Sequence, residues 1–186
     1  MFIQTEETPN PVTMKFLPGR VVMESGTLNI ETSAAAQGVL LAERLFAIPG
    51  VESVFFGADF IAVTKKAAID WLLLKPTILG AIMEYFLMHD KVEVRENVVS
   101  TSPAKDYGEN EAIVAEIIEI LDQKVRPAVA QDGGDIVFDR FEDGIVFLKM
   151  HGACSGCPSS TVTLKSGIEN MLKHYVPEVI EVRSVQ

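Results

Sequence analysis

The chain has 186 residues, 48% of them hydrophobic and 23% charged, with 26 Asp and Glu against 16 Lys and Arg and a net charge of −10. That length holds one large domain or two small ones with modest cores, and the composition is ordinary for a globular protein. The acidic excess argues against a nucleic-acid binder and against docking on anionic lipid, both of which need a basic face. No apolar run nears the roughly 20 residues that span a bilayer, so no membrane partner is expected.

Residues 1–96 read as a small α+β domain. Phe2–Thr5 and Thr13–Leu17 have the composition of short strands, split by the turn signal Thr8-Pro9-Asn10-Pro11, and Thr27–Ile30 is a third. A helix is expected from Ser33, its cap, to Phe46, with Leu40, Leu41, Leu45 and Phe46 on its apolar face. Val51–Phe56 and Phe60–Thr64 then read as a hairpin across Gly57-Ala58-Asp59. A longer helix, Ala68–His89, carries Trp71, Leu72, Ile78, Ile82, Tyr85 and Phe86. Ser, Thr, Pro and Gly cluster at 97–109, which marks a flexible linker. Charge is shared across it: residues 1–96 carry 8 basic and 12 acidic groups, and 97–186 carry 8 and 14.

Residues 110–186 form the second expected domain. Its first helix runs from Asn110, a cap, to Val129, with Ile113, Ile117, Ile120, Leu121 and Val125 at spacings of three and four. Pro127 should kink or stop it. Asp132-Gly133-Gly134-Asp135 lacks the residues of a phosphate or calcium loop and reads as a tight turn. Asp135–Phe141 and Ile145–Met150 make a hairpin across Glu142-Asp143-Gly144. A helix from Pro158 to His174 and a strand Val179–Val185 complete the chain.

The two cysteines, Cys154 and Cys157, lie in His151-Gly-Ala-Cys154-Ser-Gly-Cys157-Pro158. A thiolate-only site for zinc or an iron–sulfur cluster normally wants four cysteines, and one chain supplies two. Either the chain pairs with a copy of itself, or the motif does disulfide chemistry, or the cysteines are apolar filler. Pro158 starts a helix, which puts Cys157 at its N-terminus, where backbone N–H groups favour thiolate. Gly152 and Gly156 remove bulk around the sulfurs, and Ser155, Ser159, Ser160 and Thr161 add hydroxyl donors. A thiol–disulfide oxidoreductase shares a CxxC before a helix but places it after the first strand of a parallel βαβ unit. A zinc site would recruit His151 or His174. One CxxC pair in such a chain indicates a reducing compartment. The N-terminus lacks a secretory or Arg-rich transit pattern. Bacterial cytoplasm is the default, with a mature mitochondrial protein as the alternative.

Several blocks together resemble the Nfu-type (NifU-like) iron–sulfur cluster scaffold and carrier family. They are Val125-Arg126-Pro127, Asp132-Gly133-Gly134-Asp135, Gly152 through Ser160 with both cysteines, Ile168 through Leu172, and Val176-Pro177-Glu178-Val179. Thr8-Pro9-Asn10-Pro11, Lys15 through Gly19, Leu45 through Val51, Val54 through Gly57 and Asp59-Phe60-Ile61 resemble the family's N-terminal domain. The segment Ser33–Gly38 departs from the Ser-Pro step expected before that helix. The resemblance implies an αββαβ C-terminal domain and a metal-free N-terminal domain that binds partners or clients. It implies that Cys154 and Cys157 of two copies hold one [4Fe–4S] cluster, with [2Fe–2S] as the alternative. It further implies receipt from upstream cluster-assembly machinery and delivery to apo client proteins, with no enzymatic turnover.

Overall fold

Alternating apolar residues build the first sheet, and the computed structural model describes residues 2–94, 110–155 and 158–185, with no side chains described at 156–163. Two compact units divide within 95–109, so the expected linker and both domain boundaries lie outside the described residues. The first unit contains β1 (Gln4–Glu7), β2 (Thr13–Leu17), β3 (Leu28–Ile30), α1 (Leu40–Phe46), β4 (Val51–Phe56), β5 (Ile61–Lys65) and α2 (Trp71–Met88). The strands form one antiparallel sheet in the order β1-β2-β5-β4-β3. Phe16, Ile30, Val54, Phe56, Ile61 and Val63 share a core with Leu41 and Leu45 of α1 and with Leu74, Ile78, Ile82, Tyr85 and Phe86 of α2. Phe55, one residue out of phase, instead packs on Phe60 with ring centroids 5.8 Å apart, as strand alternation requires.

The turn Thr8–Pro11 forms as expected. Thr8 Oγ1 donates to the Thr13 carbonyl at 2.9 Å, and Asn10 Oδ1 accepts from Val12 N–H at 3.3 Å. The first helix does not. It starts at Leu40, not Ser33, and Ser33 does not cap it: the N-cap is Val39, without a side-chain hydrogen bond. Residues 33–38 are successive turns ending at Gly38, whose φ of 90° cannot continue a right-handed helix. Helix α2 is capped by Asp70, which accepts from Leu72 N–H at 2.9 Å.

Helix α2 also corrects the expectation that no apolar segment approaches a membrane span. Its 18 residues, of mean hydropathy 1.3, are long and apolar enough to cross a bilayer by length and composition. Apolar residues lie on two faces: Leu74, Ile78, Ile82, Tyr85 and Phe86 enter the core, while Leu72, Leu73, Leu87 and Met88 stay exposed.

The second unit contains α3 (Glu111–Ile120), a π-helical turn (Leu121–Val125), α4 (Arg126–Gln131), β6 (Gly134–Glu142), β7 (Ile145–Gly152), α5 (Pro158–Tyr175) and β8 (Glu181–Val185). Asn110 precedes α3 but makes no capping bond. Pro127 neither stops the helix nor ends it at Val129. The π turn absorbs it: Arg126 N–H reaches back five residues to the Leu121 carbonyl, and Pro127 follows at the start of α4. A residue without an N–H fits where the hydrogen-bond frame is already shifting.

β6 and β7 are antiparallel across Asp143-Gly144, both at positive φ (50° and 78°), as an Asp-Gly hairpin turn requires. β8 then pairs parallel to β7, giving the order β6-β7-β8 and the αββαβ succession. Ile117, Leu121 and Val129 cover Ile136, Val146, Leu148 and Val182, together with Ile168 and Leu172 of α5.

Gly144 closes this sheet against the chain leaving α5. A Cβ there would lie 2.7 Å from Ile180 Cδ1 and 3.0 Å from the Glu178 carbonyl oxygen. The left-handed backbone alone costs an L-residue about 1–2 kcal/mol. Gly144→Ala should therefore destabilise the C-terminal unit by at least about 2 kcal/mol. Urea denaturation followed by a probe in that unit measures it, and an unchanged midpoint would refute the account.

Candidate functional site

Strand β7 ends at Gly152, with φ of 62°, and delivers Ala153, Cys154 and Ser155 into a turn before α5. Ser155 N–H donates to the Gly152 carbonyl at 3.0 Å, closing the turn on itself. Ala153 N–H donates to the Gly133 carbonyl at 3.1 Å, tying the loop to the residue before β6. Gly134 lies directly behind Cys154. A Cβ at Gly134 would collide with Cys154 Sγ and lie 2.9 Å from the His151 carbonyl oxygen and 3.0 Å from Cys154 N. The turn Asp132–Asp135 is thus the seat of the cysteine loop.

The next residue fixes the seat. The Asp135 carboxylate is 4% exposed and accepts both arms of a fork from Arg126, Nε and Nη2, each at 2.8 Å. Its Oδ1 also accepts from Ile136 N–H at 2.8 Å. Arg126 reaches Asp122 at 3.0 Å as well, and these acceptors, Asp135 first, push the guanidinium pKa above its ordinary value. Neither Arg126 nor Asp135 stood out as a site residue in the sequence beyond its place in the family blocks. The signal was an acid next to Gly-Gly with an arginine nine residues upstream.

Cys154 is buried, at 5% exposure, and packs with the C-terminal core. A Gly- and Ser-rich loop thus holds its first cysteine inward, not at an exposed edge. Glycines at 134 and 152 let the backbone sink and leave the sulfur a recess. Gly156 and Cys157 lie outside the described residues, as do the side chains of Ser159, Ser160 and Thr161. Pro158 opens α5 as expected.

Of the two candidate histidines, His151 pairs with Asp135 across the strands. His174 is exposed in the last turn of α5, sixteen residues from Pro158. That is about 24 Å of helix, too far to share a metal with a ligand at the start of α5. No group of three or more His, Cys, Asp or Glu able to hold a metal occurs among the described residues. The order of elements does not separate a carrier from a dithiol enzyme as expected. β7 belongs to the antiparallel hairpin, but with α5 and the parallel β8 it also forms a βαβ unit, with Cys154 at its strand-to-helix junction.

Residues 117–183 match the NifU-like domain family, and residues 3–89 match the family described as scaffold protein Nfu/NifU N terminal. The whole chain is 50% identical to the human "NFU1 iron-sulfur cluster scaffold homolog, mitochondrial", of which it covers 72%. The chain belongs to the Nfu family of NifU-like proteins. In addition, 96% of it is 47% identical to "NifU-like protein 4, mitochondrial" of Arabidopsis thaliana, and all of it is 45% identical to a Drosophila ananassae protein named like the human one. It spans 64% of the length of each of these two. Family members thus carry both halves in this order. These relatives are named as mitochondrial, which overturns the expectation of a bacterial cytoplasmic protein and points to the mitochondrion. Cysteine usage reports the redox state of a compartment and does not say which compartment it is.

The seat yields a test. Gly134→Ala puts a methyl group where the Cys154 sulfur sits, whereas Gly80→Ala meets nothing within 4 Å. In the metal-free protein, Gly134→Ala should speed alkylation of Cys154 by about tenfold or more, because overpacking expels a neighbour sooner than it compresses a core. Peptide mass spectrometry after timed iodoacetamide treatment reads this at Cys154 itself. A rate equal to that of the wild type and of Gly80→Ala would show that the seat does not hold the sulfur.

Proposed function

We propose that this chain is an iron–sulfur cluster scaffold and carrier that takes one [4Fe–4S] cluster as cargo between two copies of itself. Each copy contributes Cys154 and Cys157. The observation that carries the reading is the cysteine loop seated on Gly133-Gly134 immediately before α5, in a chain of the Nfu family. Thiolates of this kind are the usual ligands of such clusters, and two per chain call for two chains. Gly134 makes room for the Cys154 sulfur itself, and Gly152 and Ala153 add little side-chain bulk beside it.

The cargo is received from assembly machinery and passed to apo client proteins by ligand exchange, with client thiolates replacing carrier thiolates in turn. Burial of Cys154 sets a condition on this step: the Ala153–Ser155 turn must present the sulfur outward during loading. The backbone bond from Ala153 to Gly133 is among those to be released. The N-terminal unit would hold the client while the cysteine unit approaches, raising the effective concentration. The role is transport, without turnover of a small substrate.

Anaerobic reconstitution with iron and sulfide should yield about one four-iron cluster per two chains, with the visible and Mössbauer spectra of a [4Fe–4S] centre. Cys154→Ser should abolish it. A monomer holding stoichiometric zinc without acid-labile sulfide would overturn the reading. So would disulfide-exchange activity with a two-electron potential and no iron, which would favour the dithiol enzyme.

A further inference from the structure

Any ligand that reaches the Cys154 sulfur must first draw it out of its recess against Gly134. The cost of that movement depends on how firmly the recess is held. Gly133 and Gly134 have no side chains with which to anchor themselves, and Asp132 before them is exposed. The near side of the turn is held by α4, where Gly133 N–H donates to the Ala130 carbonyl at 3.0 Å. On the far side the first anchored side chain is that of Asp135, whose two oxygens Arg126 takes at 2.8 Å each. The ladder pairs Gly134 with Gly152 and Asp135 with His151. β6 and the strand that delivers Cys154 therefore move together, and the fork ties both to the helix.

The two carboxylates that meet Arg126 differ in what they can do. Asp122 is 51% exposed, sits four residues back on the same helical segment, and accepts from Nη1 at 3.0 Å. Such a surface pair is worth little and touches neither strand. Asp135 is buried and takes two parallel N–H···O bonds, which fix the plane of its carboxylate as well as its distance. A lysine offers a point charge and no fork, so geometry more than charge is the contribution of Arg126.

We propose that Arg126 is a positioning residue for Cys154: acting through Asp135 and Gly134, it sets the balance between the recessed sulfur and one turned outward to a ligand. An intact fork favours the recess and with it the release of cargo. A loosened fork favours the outward sulfur and with it retention. The step from position to cargo rests on the carrier reading; the position itself rests on the contacts of Arg126, Asp135 and Gly134.

Timed iodoacetamide alkylation of the full metal-free chain, read at Cys154 by peptide fragment mass spectrometry, tests the position. Arg126→Met strands a buried carboxylate and costs stability, so it is not decisive alone. Arg126→Met/Asp135→Asn removes fork and charge together and keeps an acceptor for Ile136 N–H, which Asp135 now bonds at 2.8 Å. This double variant should recover most of the stability that the single one loses. Its Cys154 should still react about tenfold faster than in the wild type, at a rate unchanged by urea below the unfolding transition, because a local opening exposes little surface. Arg126→Lys, which keeps the charge and loses the fork, should speed the reaction as well. Asp122→Ala should leave it within about twofold. A double variant that regains the wild-type rate along with its stability would overturn the proposal, and so would a rate that climbs with urea as global unfolding does. Loaded Arg126→Lys should pass its cluster to an apo four-cysteine ferredoxin about threefold or more slowly than the wild type, since the recess then draws less on the sulfur. An equal transfer rate would overturn the link to cargo. The expected alkylation pattern in a chain that takes up no cluster would uphold the positioning and count against the carrier reading alone.

Discussion

Where the cysteine loop sits depends on the fork between Arg126 and Asp135. Asp135 is one residue from Gly134, which backs the Cys154 sulfur, and two from Gly133, whose carbonyl holds Ala153. Anything that moves Asp135 moves the seat. A carboxylate buried to 4% exposure with both oxygens engaged by one guanidinium is satisfied in a single alignment. Such pairs add little net stability compared with an apolar replacement, but an unpaired buried carboxylate is costly, so the fork selects register more than it adds strength. A one-residue slip of β6 would turn Asp135 to the opposite face and the whole strand with it.

The π turn makes the fork reachable. One extra residue in the helical ladder rotates everything after it by about 100°. That step carries Arg126 toward β6 while Val125 and Val129 stay in the core. The same insertion disposes of the missing N–H of Pro127. The π turn and Pro127, two irregularities of this helix, are one device. It lies at the joint between a helix and the strand that seats the cysteine loop.

Much of the fold was legible. β2 and β4 lie where their alternation places them, and the Asp143-Gly144 hairpin follows from the need for positive φ. Elsewhere, local signals conflicted with less visible ones. Ala34–Ala36 favour helix by propensity, but Gly38 breaks it, and α1 begins only at Leu40. Apolar spacings of three and four do not distinguish an unbroken α-helix from one with a π turn, so the phase shift at Leu121 was invisible. The cysteines were legible as a motif because no other residue type at that spacing offers the same chemistry. The burial of Cys154 was not, since small residues suggest an exposed loop and equally permit a sunken one. The Arg126–Asp135 fork joins two elements, and in a sequence its members count only as surface charges.

Burial of Cys154 bears on how a carrier of the proposed kind lets go. A chain holding four cysteines in one fixed cage would keep its cargo, because every ligand stays at high local concentration. Two per chain, as proposed, would make the site a product of association: it would be complete only while two copies meet, and separating them would remove half the ligands at once. For such a carrier weak association would be an advantage, since tight association would restore the cage. The recess beside Gly134 works in the same direction. A cysteine behaves as a small apolar side chain, and returning its sulfur to the core offsets part of the loss of a metal–sulfur bond. The loop therefore has a stable place for Cys154 on the unloaded chain, and under the proposed function the balance between that place and a shared cluster would set how readily the cluster moves on.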